Sequence, residues 1–399
     1  GKISELNTLF KGLTVEGSVG IGHTRWATHG VPNEMNAHPQ FGQKKKVAVV
    51  HNGIVENYSE LKAKLVSEGH IFRSQTDSEV IVHLIERYWS GQLIDAVEKA
   101  LSDLEGTYAI AVISELDPEK IVVARKGSPL VIGIGKDENY VSSDINAILS
   151  HTKDVIYMDD DELAVVDRHS VTVKRVNGAI LDKAVQHIAW NPEDAEKSGY
   201  DHFMMKEIFE QPYVVRQILS KYVQDQSNIV FKHSNRNDIN LATVSRFIIQ
   251  ACGTSWHAGL YGKYLIEEFA RVLTEVDISS EFRYRKMLSH GNDIVMALSQ
   301  SGETADTLAC IREAKSKFFK VLSFINVKQS TMDRESDGVI YSHAGQEVGV
   351  ASTKNYIAQL VCMYLFSLHL GQLKGTLSQA QVMDRLQGLS RIPEYIEQI

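Results

Sequence analysis

The sequence predicts an α+β sandwich with antiparallel sheets followed by an α/β doubly wound domain. Three observations carry that prediction. Over residues 1–190, strand patterns cluster together and helical patterns cluster together, which suits stacked antiparallel sheets. Over residues 241–376, short apolar runs alternate with helical patterns, which suits a parallel sheet covered on both faces. Two of those runs lead directly into hydroxyl-rich loops, where a doubly wound sheet binds its ligands.

In the first block the strand signals are 20–22, 47–50, 108–113, 121–124, 130–134, 155–157 and 163–166. Helical signals lie at 58–67 and in two consecutive runs within 79–104. Residues 191–240 read as a linker with a connector helix. It is polar over 191–198 and helical over 203–222, with Pro212 as a kink or break. The α/β strands are expected at 247–251, 294–298, 321–326 and 338–341, and a last apolar helix at 354–370. Residues 377–399 form an amphipathic helix expected to lead toward a further subdomain.

The chain has 399 residues, enough for two or three domains, and 43% apolar with 23% charged residues is ordinary for a soluble protein. Net charge is −8, and Lys44-Lys45-Lys46 is the only basic run, so neither nucleic acid nor a membrane surface is an expected partner. Three cysteines without paired spacing fit a reducing, cytoplasmic setting. Cys310 and Cys362 fall in apolar helical patterns and read as core, while Cys252 ends a strand. No signal-peptide pattern is visible, and the apolar stretch 356–370, interrupted by Gln359 and His369, reads as a buried helix.

The hydroxyl-rich loops are Cys252-Gly253-Thr254-Ser255 and Ser299-Gln300-Ser301-Gly302-Glu303-Thr304. Neither contains Lys or Arg or matches a P-loop or dinucleotide fingerprint. Backbone N–H groups and hydroxyls converging at a helix N-terminus hold a phosphate without a metal, and suit a monophosphate on a small metabolite. The other reading is two turns in which Ser and Thr are N-caps.

In the first block, His23-Thr24-Arg25-Trp26-Ala27-Thr28-His29-Gly30 gathers a cation, an indole, hydroxyls and imidazoles. Arg25 is suited to grip a carboxylate bidentately. Asn52 and Gly53 follow an apolar strand and form either an oxyanion hole or a type I′ hairpin turn. Asp77 is either a helix N-cap or a carboxylate for a substrate ammonium. The histidines 23, 29, 38 and 51 lack ligand-pair spacing, so no metal is expected.

These segments, with Asn36-Ala37-His38-Pro39 and Gly127-Ser128-Pro129-Leu130, resemble the glutaminase domain of class II amidotransferases, which has the N-terminal-nucleophile hydrolase fold. The two hydroxyl loops, Glu281-Phe282-Arg283-Tyr284-Arg285 and the segment from Glu347 to Lys354 resemble a sugar-isomerase (SIS) domain. The pair in this order is similar to enzymes that use glutamine to aminate fructose-6-phosphate. The resemblance implies that Arg25 and Asp77 hold the glutamine carboxylate and amine, with Thr28 and His29 in the same segment. It implies that Asn52 and Gly53 form the oxyanion hole and that Trp26 gates an ammonia channel. It further implies that Thr254, Ser255, Ser299, Gln300, Ser301 and Thr304 hold the phosphate and nearby hydroxyls of fructose-6-phosphate, with Val350 and Ser352 bordering the sugar. The product would be glucosamine-6-phosphate, with no cofactor, in a homodimer.

The family's nucleophile is an N-terminal cysteine, whereas this chain starts with Gly1. Aligned on His-Thr-Arg-Trp, the sequence is expected to begin some tens of residues late and to lack the second sugar-isomerase subdomain with its proton-transfer glutamate. Glu303 and Glu347 are the nearest carboxylates, and neither is expected to replace it. These residues by themselves are therefore expected not to hydrolyse glutamine. The main rival from another class is a non-catalytic sugar-phosphate sensor on the same two domains, against which the glutamine-site residues argue.

Overall fold

The computed structural model describes residues 8, 10–12, 17–24, 31, 33–188, 197–225, 228–231, 239–286, 288–289 and 291–399, without the side chain of residue 146. Arg25, Trp26, Thr28 and His29 lie outside the described residues. The chain divides into two compact units, Gly1–Trp190 and Asn191–Ile399.

In the first unit, β1 (Gln40–Phe41), β2 (Val47–Val55), β3 (Gly106–Ser114), β4 (Asp117–Lys126), β8 (Glu162–Val166), β9 (Val171–Arg175) and β10 (Ile180–Leu181) form a seven-stranded antiparallel sheet in that order. A four-stranded antiparallel sheet runs β11 (Gln186–His187), β7 (Asp154–Tyr157), β5 (Val131–Ile134) and β6 (Asn139–Ser142). Alternate side chains leave a strand on opposite faces, and β3 uses both. Tyr108, Ile110 and Val112 share a core with Val80, Leu84, Val97 and Leu101 of helices Glu79–Arg87 and Leu93–Asp103. Ala109 and Ala111 share one with Leu130, Ile132, Ile156 and Met158 of the second sheet and its margins. The layers are helices, large sheet and small sheet. Residues 17–24 run without regular structure, so the strand expected at 20–22 does not form: Gly20-Ile21-Gly22 offers one apolar side chain where pairing needs several.

In the second unit, β14 (Arg246–Ala251), β15 (Leu273–Ile278), β16 (Asp293–Ser299), β17 (Lys320–Ile325) and β18 (Gly338–Tyr341) form a parallel sheet in the order β15-β14-β16-β17-β18. The order reverses between β14 and β16, so the two hydroxyl loops leave the sheet at its topological switch point. Both faces are covered, which explains why the strands read as continuous apolar runs. Phe247, Ile249, Met296 and Phe324 face one core, and Ile248, Val295, Val321 and Ile325 face the other. Helix Lys354–Leu373 is the only described helix long and apolar enough to cross a membrane. It is instead the centre of the first of these cores, where Phe366 meets Phe247 and Phe324 edge-on at 5.7 and 5.4 Å.

Residues read as a connector belong to this second unit. Helices Phe203–Phe209 and Gln211–Tyr222 are separated at Glu210, and Pro212 stands in the first turn of the second helix, where its missing N–H costs nothing. Val214, Val215 and Ile218 are buried in the core, with Tyr222 at the end of the same face. The expected helix at 377–399 is two helices, Gln379–Ser390 and Ile392–Glu397. Val382, Leu386 and Leu389 of the first bury into the same core.

Tyr222 ties the 211–222 helix to the sheet edge. Its hydroxyl donates to the Tyr341 carbonyl at 2.6 Å and accepts from the Tyr341 N–H at 3.0 Å, both out of water. Burial pushes this phenol well above its ordinary range, so it remains protonated. Tyr222→Phe removes both of these bonds and leaves the Tyr341 carbonyl with a long contact from the Cys362 thiol at 3.9 Å. It is expected to lower unfolding stability by about 1–3 kcal/mol in urea titration; a loss under about 0.5 kcal/mol would show that water or rearrangement replaces both bonds.

Candidate functional sites

The Asn52-Gly53 pair does not form a hairpin turn. Both residues lie inside β2, paired in register with Ala109 and Tyr108 of β3. A Cβ on Gly53, whose φ is 134°, would stand 2.1 Å from the Thr107 carbonyl oxygen, so the two backbones approach closely only because residue 53 is glycine. The Asn52 side-chain oxygen accepts from His23 Nε2 at 2.6 Å, which leaves its NH2 group turned away and available to donate. His23 stacks on His38 with 4.5 Å between ring centroids, and His38 Nδ1 accepts from the His51 N–H at 3.3 Å.

Asp77 lies on the same wall. It is 3% exposed, and its Oδ2 accepts from the Val55 N–H at the end of β2, 2.8 Å away. Helix Glu79–Arg87 has Ser78 at its N-cap position with no side-chain cap bond, so Asp77 is not the cap. Among the described residues it makes no ion pair, which leaves a buried carboxylate facing where a cation would be stabilised. His51, whose Nδ1 is 2.9 Å from Ser78 Oγ, is held below the ordinary histidine range by burial, with Asp77 opposing. It is therefore neutral at pH 7. From the sequence His51 reads only as one of four histidines without ligand-pair spacing, and Ser78 as a serine before a helix; their contact, with His51 in the middle of β2, is tertiary and leaves no spacing signal.

The flanking segments converge on this wall. Gln75 N–H donates to Asn36 Oδ1 at 2.8 Å, and Gly127 N–H donates to Asp160 Oδ1 at 2.9 Å beside the Tyr108–Gly127 bridge. Glu79 accepts from the Arg73 and Ser74 N–H groups at 2.7 Å each, which fixes the loop that carries Asp77.

In the second unit, all strand C-termini share one edge of the parallel sheet. Helix Gly253–Ala270 has Cys252 at its N-cap position and helix Ala305–Ser316 has Thr304, and neither has a side-chain cap bond. The hydroxyls that would be caps are thus not used as such. Thr254 is exposed, and Ser255 Oγ accepts from Gln359 Nε2 at 2.9 Å. Ser299 Oγ lies 2.9 Å from Thr304 Oγ1 and accepts from the Gly302 N–H, while Ser301 Oγ accepts from the Glu303 N–H at 3.1 Å. Gly302 has φ 68°, and a Cβ there would lie 2.1 Å from Ser330 Oγ, so the loop closes tightly over its neighbour. The Gln300 carbonyl accepts from the Asn326 N–H, tying this loop to the one after β17.

Val350 is 92% exposed, and Ser352 Oγ donates to Glu347 Oε2 at 3.1 Å. Glu347 also accepts from the Thr353 and Asn355 N–H groups at 2.8 and 3.1 Å, capping helix Lys354–Leu373. Glu207 accepts from the Val348 and Gly349 N–H groups at 2.6 and 3.0 Å. Glu303 Oε1 accepts from the Thr331 N–H at 2.7 Å. Glu303 and Glu347 thus act on backbone, and Glu207 is a loop anchor that the sequence alone did not single out. Of the cysteines, Cys310 is pushed up to about 12 by burial and Cys362 higher still, so neither is a thiolate at neutral pH.

Comparison with known proteins separates the same two regions. A glutamine amidotransferase domain family matches residues 9–188, and an SIS domain family matches residues 240–368. A glutamine–fructose-6-phosphate aminotransferase (isomerizing) from Caldanaerobacter subterraneus subsp. tengcongensis is 44% identical over 397 residues, covering 100% of this chain and 65% of the relative. One of the same name from Chlorobaculum tepidum is 47% identical over 407 residues, covering 99% of this chain and 66% of the relative. The solved C-terminal domain of glucosamine-fructose-6-phosphate aminotransferase from Francisella tularensis is 37% identical, with TM-score 0.47, covering 50% of this chain and 56% of that one. The chain thus spans less than two thirds of the length of these full-length relatives. It carries a glutamine amidotransferase domain followed by an SIS domain, and along its whole length it is similar to glutamine–fructose-6-phosphate aminotransferases (isomerizing).

Proposed function

We propose that the protein transfers the amide nitrogen of glutamine to fructose-6-phosphate with ketose–aldose isomerisation, giving glucosamine-6-phosphate and glutamate. The observation that carries this reading is the presence, in one chain, of a strand-held Asn52-Gly53 beside buried Asp77 and of two hydroxyl loops at a sheet's switch point. In this reading Asp77 and Arg25 hold the glutamine amine and carboxylate, with Thr28 and His29 beside them. A thiolate attacks the amide carbon, and the Asn52 NH2 group and Gly53 N–H stabilise the oxyanion. Collapse of that intermediate releases ammonia and leaves an acyl thioester, which water hydrolyses to glutamate. Trp26 gates the passage of ammonia.

Ammonia then adds at C2 of the open-chain ketose and water leaves, forming the C–N bond. A proton moves from C1 to C2 to give the aldose. Thr254, Ser255, Ser299, Gln300, Ser301 and Thr304 hold the phosphate and neighbouring hydroxyls, and Val350 and Ser352 border the sugar. Two helix N-termini without side-chain caps favour that role, because first-turn N–H groups and hydroxyls then remain for an anion. No cofactor is required by these steps. The three cysteines of these 399 residues, Cys252, Cys310 and Cys362, all lie in the second unit. A homodimer, a cytoplasmic setting, and no nucleic-acid or membrane partner complete the reading. Unpaired cysteines, a net charge of −8 and dispersed Lys and Arg support the last three; the dimer follows from the family resemblance.

Two measurements test the sites in a protein that carries the complete catalytic apparatus. Ser301→Ala and Thr304→Ala are each expected to weaken fructose-6-phosphate binding by about 1–3 kcal/mol in calorimetric titration. Unchanged affinity in both removes the phosphate assignment. Asn52→Ala is expected to lower glutamine hydrolysis roughly 10²–10³-fold in turnover with folding intact by circular dichroism. An effect below about threefold would make Asn52 a strand residue only.

A further inference from the structure

Away from both sites, the first unit gathers His70, His83 and Glu86, whose ligand-type atoms all lie within 4.8 Å of one another. His83 and Glu86 stand on one face of helix Glu79–Arg87, three residues apart, and His70 faces them from the loop after helix Tyr58–Ser67. The two Nδ1 atoms are 3.1 Å apart, with the rings nearly perpendicular at 82°. Two nitrogens bound at about 2.0–2.1 Å to one tetrahedral zinc stand roughly 3.3–3.4 Å apart, so the pair need open by only a few tenths of an ångström. The rings are therefore spaced as a ligand pair.

The surroundings orient His83 for that role. Its ring is fully enclosed, with Phe72 packed against it at 4.4 Å. Its Nε2 is buried without a hydrogen-bond partner among the described residues, yet lies 3.6 Å from Glu79 Oε1. A metal on Nδ1 requires the proton to sit on Nε2, where Glu79 is the nearest acceptor. A carboxylate behind a metal-bound imidazole is the usual outer-shell arrangement. Glu86 accepts from the Gln43 and Lys44 N–H groups at 2.8 and 3.2 Å, which fixes its carboxylate while leaving lone pairs for a cation.

We propose that His70, His83 and Glu86 form a structural zinc site that pins the Asp77-bearing loop to helix Glu79–Arg87. Two imidazoles and one carboxylate select a transition-metal ion such as Zn²⁺ over Ca²⁺ or Mg²⁺. His70 is half-buried, so water supplies the fourth position. The same Glu79 carboxylate that backs His83 accepts from Arg73 and Ser74, so metal binding and the loop share one anchor.

The test uses the full chain, stripped with chelator and titrated with Zn²⁺ by calorimetry and with Co²⁺ by visible absorption. Uptake of one equivalent at micromolar or tighter affinity is expected, with a tetrahedral Co²⁺ spectrum. Zn²⁺ at about a hundredfold excess over Kd should raise Tm by roughly 5–10 °C. His70→Ala and Glu86→Gln, both at half-buried positions and checked for folding by circular dichroism, should each weaken binding at least tenfold and abolish most of the Tm rise. Failure of the unaltered chain to take up one equivalent would overturn the proposal and leave the His70–His83 contact as a hydrogen bond between neutral rings. Affinity unchanged in either variant would overturn it equally, because the metal would then sit elsewhere, for example at His23 and His38.

Discussion

Carboxylates buried against backbone N–H groups are the constraint on which both site walls depend. Glu79 is 2% exposed and takes the Arg73 and Ser74 amides, and Glu207, also 2% exposed, takes Val348 and Gly349; the half-buried Glu347 reinforces the second loop by taking Thr353 and Asn355. A carboxylate out of water must be saturated with donors or it protonates. Loops are the source of backbone donors not already committed to a ladder. Each buried acid thus recruits a loop, and the loop cannot move without exposing an unsatisfied charge. The segments held this way carry Asp77 in the first unit and Val350 and Ser352 in the second. Hydroxyl–hydroxyl contacts, as between Ser299 and Thr304, are weaker and leave lone pairs over, which suits groups that must also meet a ligand.

The parallel sheet adds a second constraint. Its strands pair in register along their whole length, so every C-terminus ends on one edge, and the reversal between β14 and β16 opens a crevice that no crossover helix covers. Placing hydroxyl loops there follows from chain connectivity. The antiparallel sandwich has no such edge. Its first-unit site is instead made by a close backbone approach at Gly53 and by a loop held over the end of β2. Two physically different solutions, one topological and one steric, serve the two units.

Much of this was legible in the sequence. The alternation of apolar runs between 247 and 341 has one economical solution, and the residues between the runs mark the loops at once. The Asn-Gly pair was ambiguous because turn chemistry and strand chemistry differ only in what lies opposite. Thr107 is 54 residues from Gly53, and no local pattern reveals that its carbonyl occupies the space of a Cβ. Residues 203–222 read as a connector because their helix has a weakly periodic face, and the burial of Val214, Val215 and Ile218 depends on helix Lys354–Leu373 far along the chain. Gly20-Ile21-Gly22 reads as a strand on flanking context alone.

The proposed zinc cluster shows the same limit from the opposite side. His83 and Glu86 sit at a helical spacing that also describes an ordinary solvated face, and His70 is 13 residues from His83 without a motif. What distinguishes them is burial: an imidazole in a core has to place two nitrogens, and Glu79 can satisfy only one. The other points at a second imidazole, and two neutral rings facing through Nδ1 share one proton between two acceptors. A ring–ring hydrogen bond satisfies the pair with no cation, whereas a metal satisfies both lone pairs and the neighbouring Glu86 charge together. The two carboxylates weigh toward the cation: Glu79 opens helix Glu79–Arg87 behind the His83 ring and Glu86 lies one turn beyond His83, so a metal between the rings is flanked by negative charge on both sides.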